Sequence, residues 1–336
     1  MYSANEQGFR AQKEYALRLS PDRIRIASLG DSFTHGDDVS DSAAWTAVLD
    51  RSEDNIEVLN FGVGAYGLNQ ALLRYCCDGA KFLPNIVMIG FVRENINRNV
   101  NVFRFFYSPV TMLPFTKPRF VLSGDSLRLV RNSFQTLSDY RDLLGQQGTI
   151  PHGLSDNDAF SPKHRDWGVV DWLPSVQLLK FAIGALVGRP AVYSDESYNQ
   201  RFEAFKVTTR LCDLFWKTAK GNGSIPIFVV FPDWTACHRH KSGGPTVYGS
   251  LLDHLRKKGY RYVDVLDAFI ERAPDASVEE LFIEARSGHY TPFINSFVAA
   301  HLLAYLRREG LTGPATVKSM ASSTQANTDL CSQYRQ

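Results

Sequence analysis

The chain has 336 residues, 44% of them hydrophobic and 21% charged, a balance that supplies a large buried core and excludes a disordered chain. Its 37 basic and 35 acidic side chains leave a formal charge of +2, so no strong field draws it to nucleic acid or to an anionic membrane, and a small or neutral partner fits better. The five cysteines, Cys76, Cys77, Cys212, Cys237 and Cys331, are odd in number and lack C-x-x-C spacing, which predicts buried free thiols rather than a disulfide framework or a zinc ribbon.

The first 20 residues are polar and charged, where a signal peptide needs an apolar run of about 7–15 residues. The apolar run "FAIGALVG" at 181–188 falls well short of the roughly 20 residues that cross a bilayer. The chain as written therefore reads as soluble, either cytoplasmic or a form of an envelope-anchored protein cut free of its anchor.

Apolar runs alternate with helix-period segments, as in a parallel sheet covered on both faces. "IRIASL" (24–29) is the first strand, followed by a helix carrying Trp45, Val48 and Leu49 on one face. "IEVLNF" (56–61) is the second, a helix over 69–82 follows, and "NIVMIGF" (85–91) is the third. The alternation then breaks from about 98 to 195, where "FVLSGDSLRLV" (120–130) predicts a hairpin, 152–168 reads as a loop and "VQLLKFAIGALVG" as an apolar helix. This stretch is an expected insertion, folded over one end of the sheet. A helix with Phe202, Phe205, Cys212 and Trp216 on one face leads to the strands "IPIFVVF" (225–231) and "YRYVDVL" (260–266). A last helix carries Ile294, Val298, Leu302 and Tyr305, and the tail after about 311 loses periodicity and is expected to be disordered. The predicted fold class is α/β: a flavodoxin-like three-layer sandwich with a five-stranded parallel sheet, helices on both faces and an insertion after the third strand. It forms a single domain over 1–310.

Ligands bind at the carboxyl ends of strands in such sheets. "GDSFTHGDD" places Ser32 just past the first strand, "NFGVGAYG" brings Gly62 and Gly64 past the second, and "RENINRN" brings Asn95 past the third. "SGHYTPFINSF" sets His289 in a loop before the last helix. A serine, a close-approach glycine, an asparagine and a histidine thus come from four strand ends on one edge of one sheet. "CHRH" (237–240) lacks the second ligand pair that zinc needs and reads as a solvated loop. No metal or cofactor is expected.

These four blocks, in this order, resemble the SGNH (GDSL) hydrolase family over about residues 22–98 and 200–308. "GFRAQKEY" (8–15) is similar to the lead-in of some bacterial members. The resemblance implies Ser32 as nucleophile, His289 as base, and an oxyanion hole from the Ser32 amide, the Asn95 side chain and one amide of the second block, Gly62 in preference to the alternative Gly64. Asp31, Gly64 and Tyr66 are the adjoining candidates for substrate contact. It further implies a carboxylic ester hydrolase acting on acetyl or other short acyl groups of carbohydrate or small esters. An O-acyltransferase of the same fold, or a non-catalytic carbohydrate-binding module, would carry the same pocket. Aromatic residues in "FRFFYSPV" (103–110) would stack on sugar rings or form a packed lid. Two departures stand out. The third block reads Glu94-Asn95, and Asn95 is preferred because a carboxylate would repel an oxyanion. The family's Asp three residues before the histidine is replaced by Arg286, which leaves Glu284, or a backbone carbonyl, to orient His289.

Overall fold

The computed structural model describes residues 3–108, 115–145, 154, 156–161, 175, 192–194, 197–272, 275–284, 288–313 and 328–335. In chain order the elements are β1 (Ile24–Leu29), α1 (Ser32–His35), α2 (Trp45–Asp50), β2 (Ile56–Asn60), α3 (Leu68–Arg74), β3 (Ile86–Val92) and α4 (Asn95–Arg98). Next come β4 (Arg119–Ser123), β5 (Ser126–Val130), α5 (Leu137–Gly145), the short β6 (Tyr193–Ser194) and β7 (Ser197–Tyr198), and α6 (Glu203–Gly221). The chain continues with β8 (Ile225–Phe231), α7 (Trp234–Lys241), α8 (Gly249–Lys257), β9 (Tyr262–Asp264), α9 (Val265–Arg272), α10 (Val278–Leu281), α11 (Pro292–Arg308) and α12 (Thr328–Arg335). Two compact units result, one from 1–95 with 211–336 and the other from 96–210.

The first unit is built on a five-stranded sheet of order β2-β1-β3-β8-β9, with every neighbouring pair parallel. Strands buried on both faces must be apolar on both, and β1, β2 and β3 are buried along their whole lengths. Alternate residues serve opposite layers. Ile26, Val58, Met88 and Val229 face a layer made by Trp45 and Leu49 of α2, Phe269 of α9 and Ile294, Val298 and Leu302 of α11. The opposite face of the sheet meets the α3 and α6 side, where Phe215 packs edge-on against Phe228, centroids 5.2 Å apart, and against Tyr75 at 6.4 Å. Leu68, Leu72 and Leu73 of α3 are fully buried. A buried charge pair lies in the sheet: the Arg25 Nε donates to Glu57 at 2.7 Å and its Nη1 to the Phe82 carbonyl at 2.8 Å.

In the other unit β4 and β5 form the expected hairpin, with Ser123 opposite Ser126. Asp158 organises the approach to it, accepting from the Val102 and Phe103 amides at 2.6 and 2.9 Å and from Asn101 Nδ2 at 2.8 Å. Lys117 donates to the Arg98 carbonyl, and burial pushes its pKa down to about 7. Phe103 stacks edge-on against Phe106 at 5.1 Å, so these aromatics pack partly on one another. The helix expected at 176–188 lies outside the described residues.

Three expectations need correction. "YRYVDVL" is a strand only over Tyr262–Asp264, and Val265 and Leu266 already belong to α9. "CHRH" is helical, within α7, with Cys237 buried; Asp233 caps that helix by accepting from the Ala236 amide at 2.9 Å. Cys77 and Cys331 are joined in a disulfide rather than both standing as free thiols, and α12 is tied back onto the segment that follows α3, while 314–327 of the expected tail lie outside the described residues. No helix among the described residues is long and apolar enough to cross a membrane.

Reduction, or Cys331→Ser, is expected to expose the α12 amides to hydrogen exchange while the β1–β3 amides keep their protection, as read by exchange mass spectrometry. Burial raises the Asp264 pKa from 3.8 to about 7. The folded state then binds more protons than the unfolded chain across that window, so this group's contribution to stability is lost as pH rises through it. Asp264→Asn keeps an acceptor for Tyr248 Oη, which donates to Asp264 at 3.0 Å. Urea titrations should show the variant losing less stability than the parent between pH 4 and 7.

Candidate active site

Ser32 opens α1 at the carboxyl end of β1, where Asp31 caps the helix by accepting from the Phe33 amide at 3.0 Å. The helix is one turn long. Gly36, at φ 82°, ends it in the left-handed region, and the Ser32 carbonyl accepts from the Gly36 and Asp37 amides at 2.8 and 3.0 Å. Such a short helix holds its place by packing. Buried Thr34 points at the sheet, and a Cβ on Gly90 of β3 would stand 2.2 Å from its Oγ1.

The second block packs as closely. A Cβ on Gly62 would lie 2.3 Å from the His35 amide nitrogen. The Gly62 amide itself donates to Asn60 Oδ1 at 2.9 Å, and Asn60 Nδ2 donates to the His35 carbonyl at 3.1 Å and to Thr46 Oγ1 at 2.9 Å. Gly62 is thus required for close approach to α1, and its N–H is already engaged, contrary to its expected place as an oxyanion donor. The Val63 amide is likewise spent, on the Gly30 carbonyl at 3.1 Å. The next amides along are those of Gly64, which is exposed, and of Ala65, whose φ of 65° is an uncommon conformation for a residue with a Cβ.

In the third block it is Asn95 that reaches across the sheet edge. Its Nδ2 donates to Asp31 Oδ2 at 2.9 Å and to the Tyr66 carbonyl at 3.3 Å, and its Oδ1 accepts from the Val92 amide at 3.1 Å. Asp31 is only 1% exposed. With its oxygens bonded to Phe33 and Asn95, it serves as a buried tie between two blocks rather than as a surface for substrate. Tyr66 joins the same network through its carbonyl.

His289 lies in the loop between α10 and α11. That loop is closed by the Phe282–Tyr290 bridge and by the Ile283 amide donating to the His289 carbonyl at 2.9 Å. Tyr290 anchors it: the ring is buried, its hydroxyl donates to the Pro232 carbonyl at 2.7 Å, and burial drives its pKa far up, so it stays neutral. Asn295 of α11 donates to the Tyr290 and Thr291 carbonyls, each at 3.1 Å, and its Oδ1 accepts from the Trp45 amide at the start of α2. Trp45 in turn donates from Nε1 to the Phe33 carbonyl at 3.0 Å. Through this chain of bonds the histidine loop is fastened to the Ser32 helix, and the His289 ring packs against Phe33 with centroids 5.2 Å apart.

The partner of the imidazole is the feature that sequence spacing missed. Nδ1 of His289 is 2.6 Å from Asp38 Oδ2. Glu284, the expected orienting group, is exposed and meets its own loop through its backbone, where its carbonyl accepts from the Gly288 amide at 3.1 Å. Arg286 lies outside the described residues. Among the described residues no three His, Cys, Asp or Glu side chains gather as metal ligands.

No protein-family model matches the chain, and no curated protein matches it in sequence. Among solved structures, it is similar to a member of the lipolytic protein G-D-S-L family from Veillonella parvula, at 12% identity and a TM-score of 0.36, covering 85% of this chain and 99% of that one. It is also similar to a variant of Axe2, an acetyl-xylooligosaccharide esterase from Geobacillus, at 12% identity and a TM-score of 0.44, covering 87% and 97%. The acetyl xylan esterase AlAXEase matches at 11% identity and a TM-score of 0.41, covering 84% and 100%.

Gly62→Ala forces a methyl group onto the backbone of α1. It is expected to destabilise the protein by about 1–3 kcal/mol or more in chemical denaturation, with a loss of activity larger than the fraction unfolded explains.

Proposed function

We propose that the chain is a serine ester hydrolase of SGNH type that removes acetyl or other short acyl groups from carbohydrate or small esters. The observation that carries this reading is the hydrogen-bonded union of the blocks. Asp31 beside Ser32 binds Asn95, Asn95 binds Tyr66 of the second block, and His289 rests against Phe33, all at the carboxyl edge of one sheet.

In the proposed reaction Ser32 Oγ attacks the ester carbonyl while Nε2 of His289 takes its proton. The C–O bond to the leaving alcohol then breaks, and the same proton passes to that oxygen. Water attacks the acyl-serine in the second half, with His289 again accepting and returning a proton. The developing oxyanion would be met by the Ser32 and Gly64 amides, with Ala65 beside them, and by Asn95 Nδ2. The bond from Asn95 Nδ2 to the Tyr66 carbonyl, at 3.3 Å, is the longer of the two that this nitrogen donates and the one that a bound oxyanion would replace. No metal or cofactor takes part in these steps. A carboxylate on Nδ1 of His289 supports turnover over mere carbohydrate binding.

The purified protein should hydrolyse p-nitrophenyl acetate, and Ser32→Ala should abolish this with the fold intact by circular dichroism. Wild-type activity no higher than that of Ser32→Ala would overturn the proposal. Asn95→Ala is expected to lower kcat by about 10²–10³-fold. With an acetylated xylooligosaccharide as donor and a free sugar as acceptor, release of acetate supports hydrolysis, whereas acetylated acceptor would make the protein a transferase.

A further inference from the structure

We infer that Asp38, carried on the nucleophile's own loop, is the positioning acid of His289, in place of a carboxylate upstream of the histidine. The inference rests on the reading of Ser32 and His289 given above and assigns the third member of that group.

An exposed ion pair is worth little to stability. The Asp38 side chain is 50% exposed and that of His289 23%, so the pair's worth to folding decides nothing. Its geometry is informative because the bond is to Nδ1, at 2.6 Å. That bond fixes the tautomer in which Nε2 is free to accept a proton from a serine hydroxyl, and the carboxylate stabilises the imidazolium that results.

The loop around Asp38 is held in shape from a distant part of the sequence. Arg10, whose side chain is 2% exposed, donates from Nη1 to the His35 carbonyl at 2.9 Å and also to the Gly36 carbonyl, and from Nη2 to the Val39 carbonyl at 2.6 Å. Its Nε bonds Asp41 at 2.9 Å. One guanidinium thus collects carbonyls on either side of Asp38, a use for the planar fork of donors that a lysine does not have. Asp38 itself sits at φ 67°, in the left-handed region that aspartate enters more readily than most residues. A buried cation gripping the backbone and an uncommon dihedral at the tip are what holding one carboxylate towards one ring requires.

Among the described residues, three other acids of these loops have partners of their own. Asp37 pairs with His35 at 2.5 Å, Asp233 with Arg93 at 2.8 Å, and Asp31 with Asn95. The first turn of α11, which follows the histidine loop, carries no acidic residue, and Glu284 on the loop itself is exposed.

The experiment compares wild type, Asp38→Asn, Asp38→Glu, Glu284→Gln and Ser32→Ala on p-nitrophenyl acetate, together with the His289 ring nitrogens followed by NMR. Asp38→Asn is expected to lower kcat on the order of 10²-fold with little change in KM, and to weaken the signature of the Nδ1-protonated tautomer, because Nδ1–H loses its carboxylate acceptor. Asp38→Glu should recover part of the rate. A tautomer signature unchanged in Asp38→Asn, or a rate loss in Glu284→Gln with none in Asp38→Asn, overturns the inference. Wild-type activity equal to that of Ser32→Ala overturns the hydrolase reading instead, and the ring NMR then still tests the pairing by itself.

Discussion

The closeness with which α1 settles onto the end of the sheet is the constraint on which the rest of the site depends. One helical turn has too few internal hydrogen bonds to persist by itself, so its position is set by what surrounds it. Thr34 fills the space that the missing side chain of Gly90 leaves, and Gly62 lets the second block lie against the His35 backbone. Add a methyl group at either place and the turn bearing Ser32 must lift. Every other candidate group, from Asn95 to Asp38, takes its bearings from that turn.

Polar side chains then fasten segments that lie far apart in the chain. Asp31, Asn60, Asn95 and Asn295 are all nearly inaccessible to solvent, and each bridges two or more elements. Burying such groups costs free energy unless they are bonded, and here the bonds that satisfy them run between the β1, β2 and β3 ends and the histidine loop. The same interactions that make burial tolerable also set the register among four pieces of sequence, which an apolar contact, being non-directional, does less well.

Much of this architecture is legible in the sequence. Apolar runs of six or seven residues between turn formers have little choice in an α/β chain, and β1 and β8 begin and end where the sequence puts them. The apolar run extends past the last strand because Val265 and Leu266 continue its alternation while already starting the apolar face of α9. For "CHRH" the helix signal lies four residues earlier, at the capping Asp233. Other features depend on distance in space alone. The parity of five cysteines says nothing about a pair 254 residues apart, and a search for the acid near His289 in sequence cannot find Asp38, 251 residues away. The commitment of the Gly62 amide to Asn60 is likewise a matter of local hydrogen bonding that a motif does not encode.

The tie between α12 and the turn after α3 has a chemical neighbour. Cys76 stands next to Cys77 as a free thiol, and burial pushes its pKa up to about 12. Exchange between thiols and disulfides requires a thiolate as attacking group. Cys76 and Cys77, adjacent in sequence, therefore differ in their chemistry once the chain has folded: one is held in a crosslink, and the desolvation of the other disfavours the thiolate that would attack it.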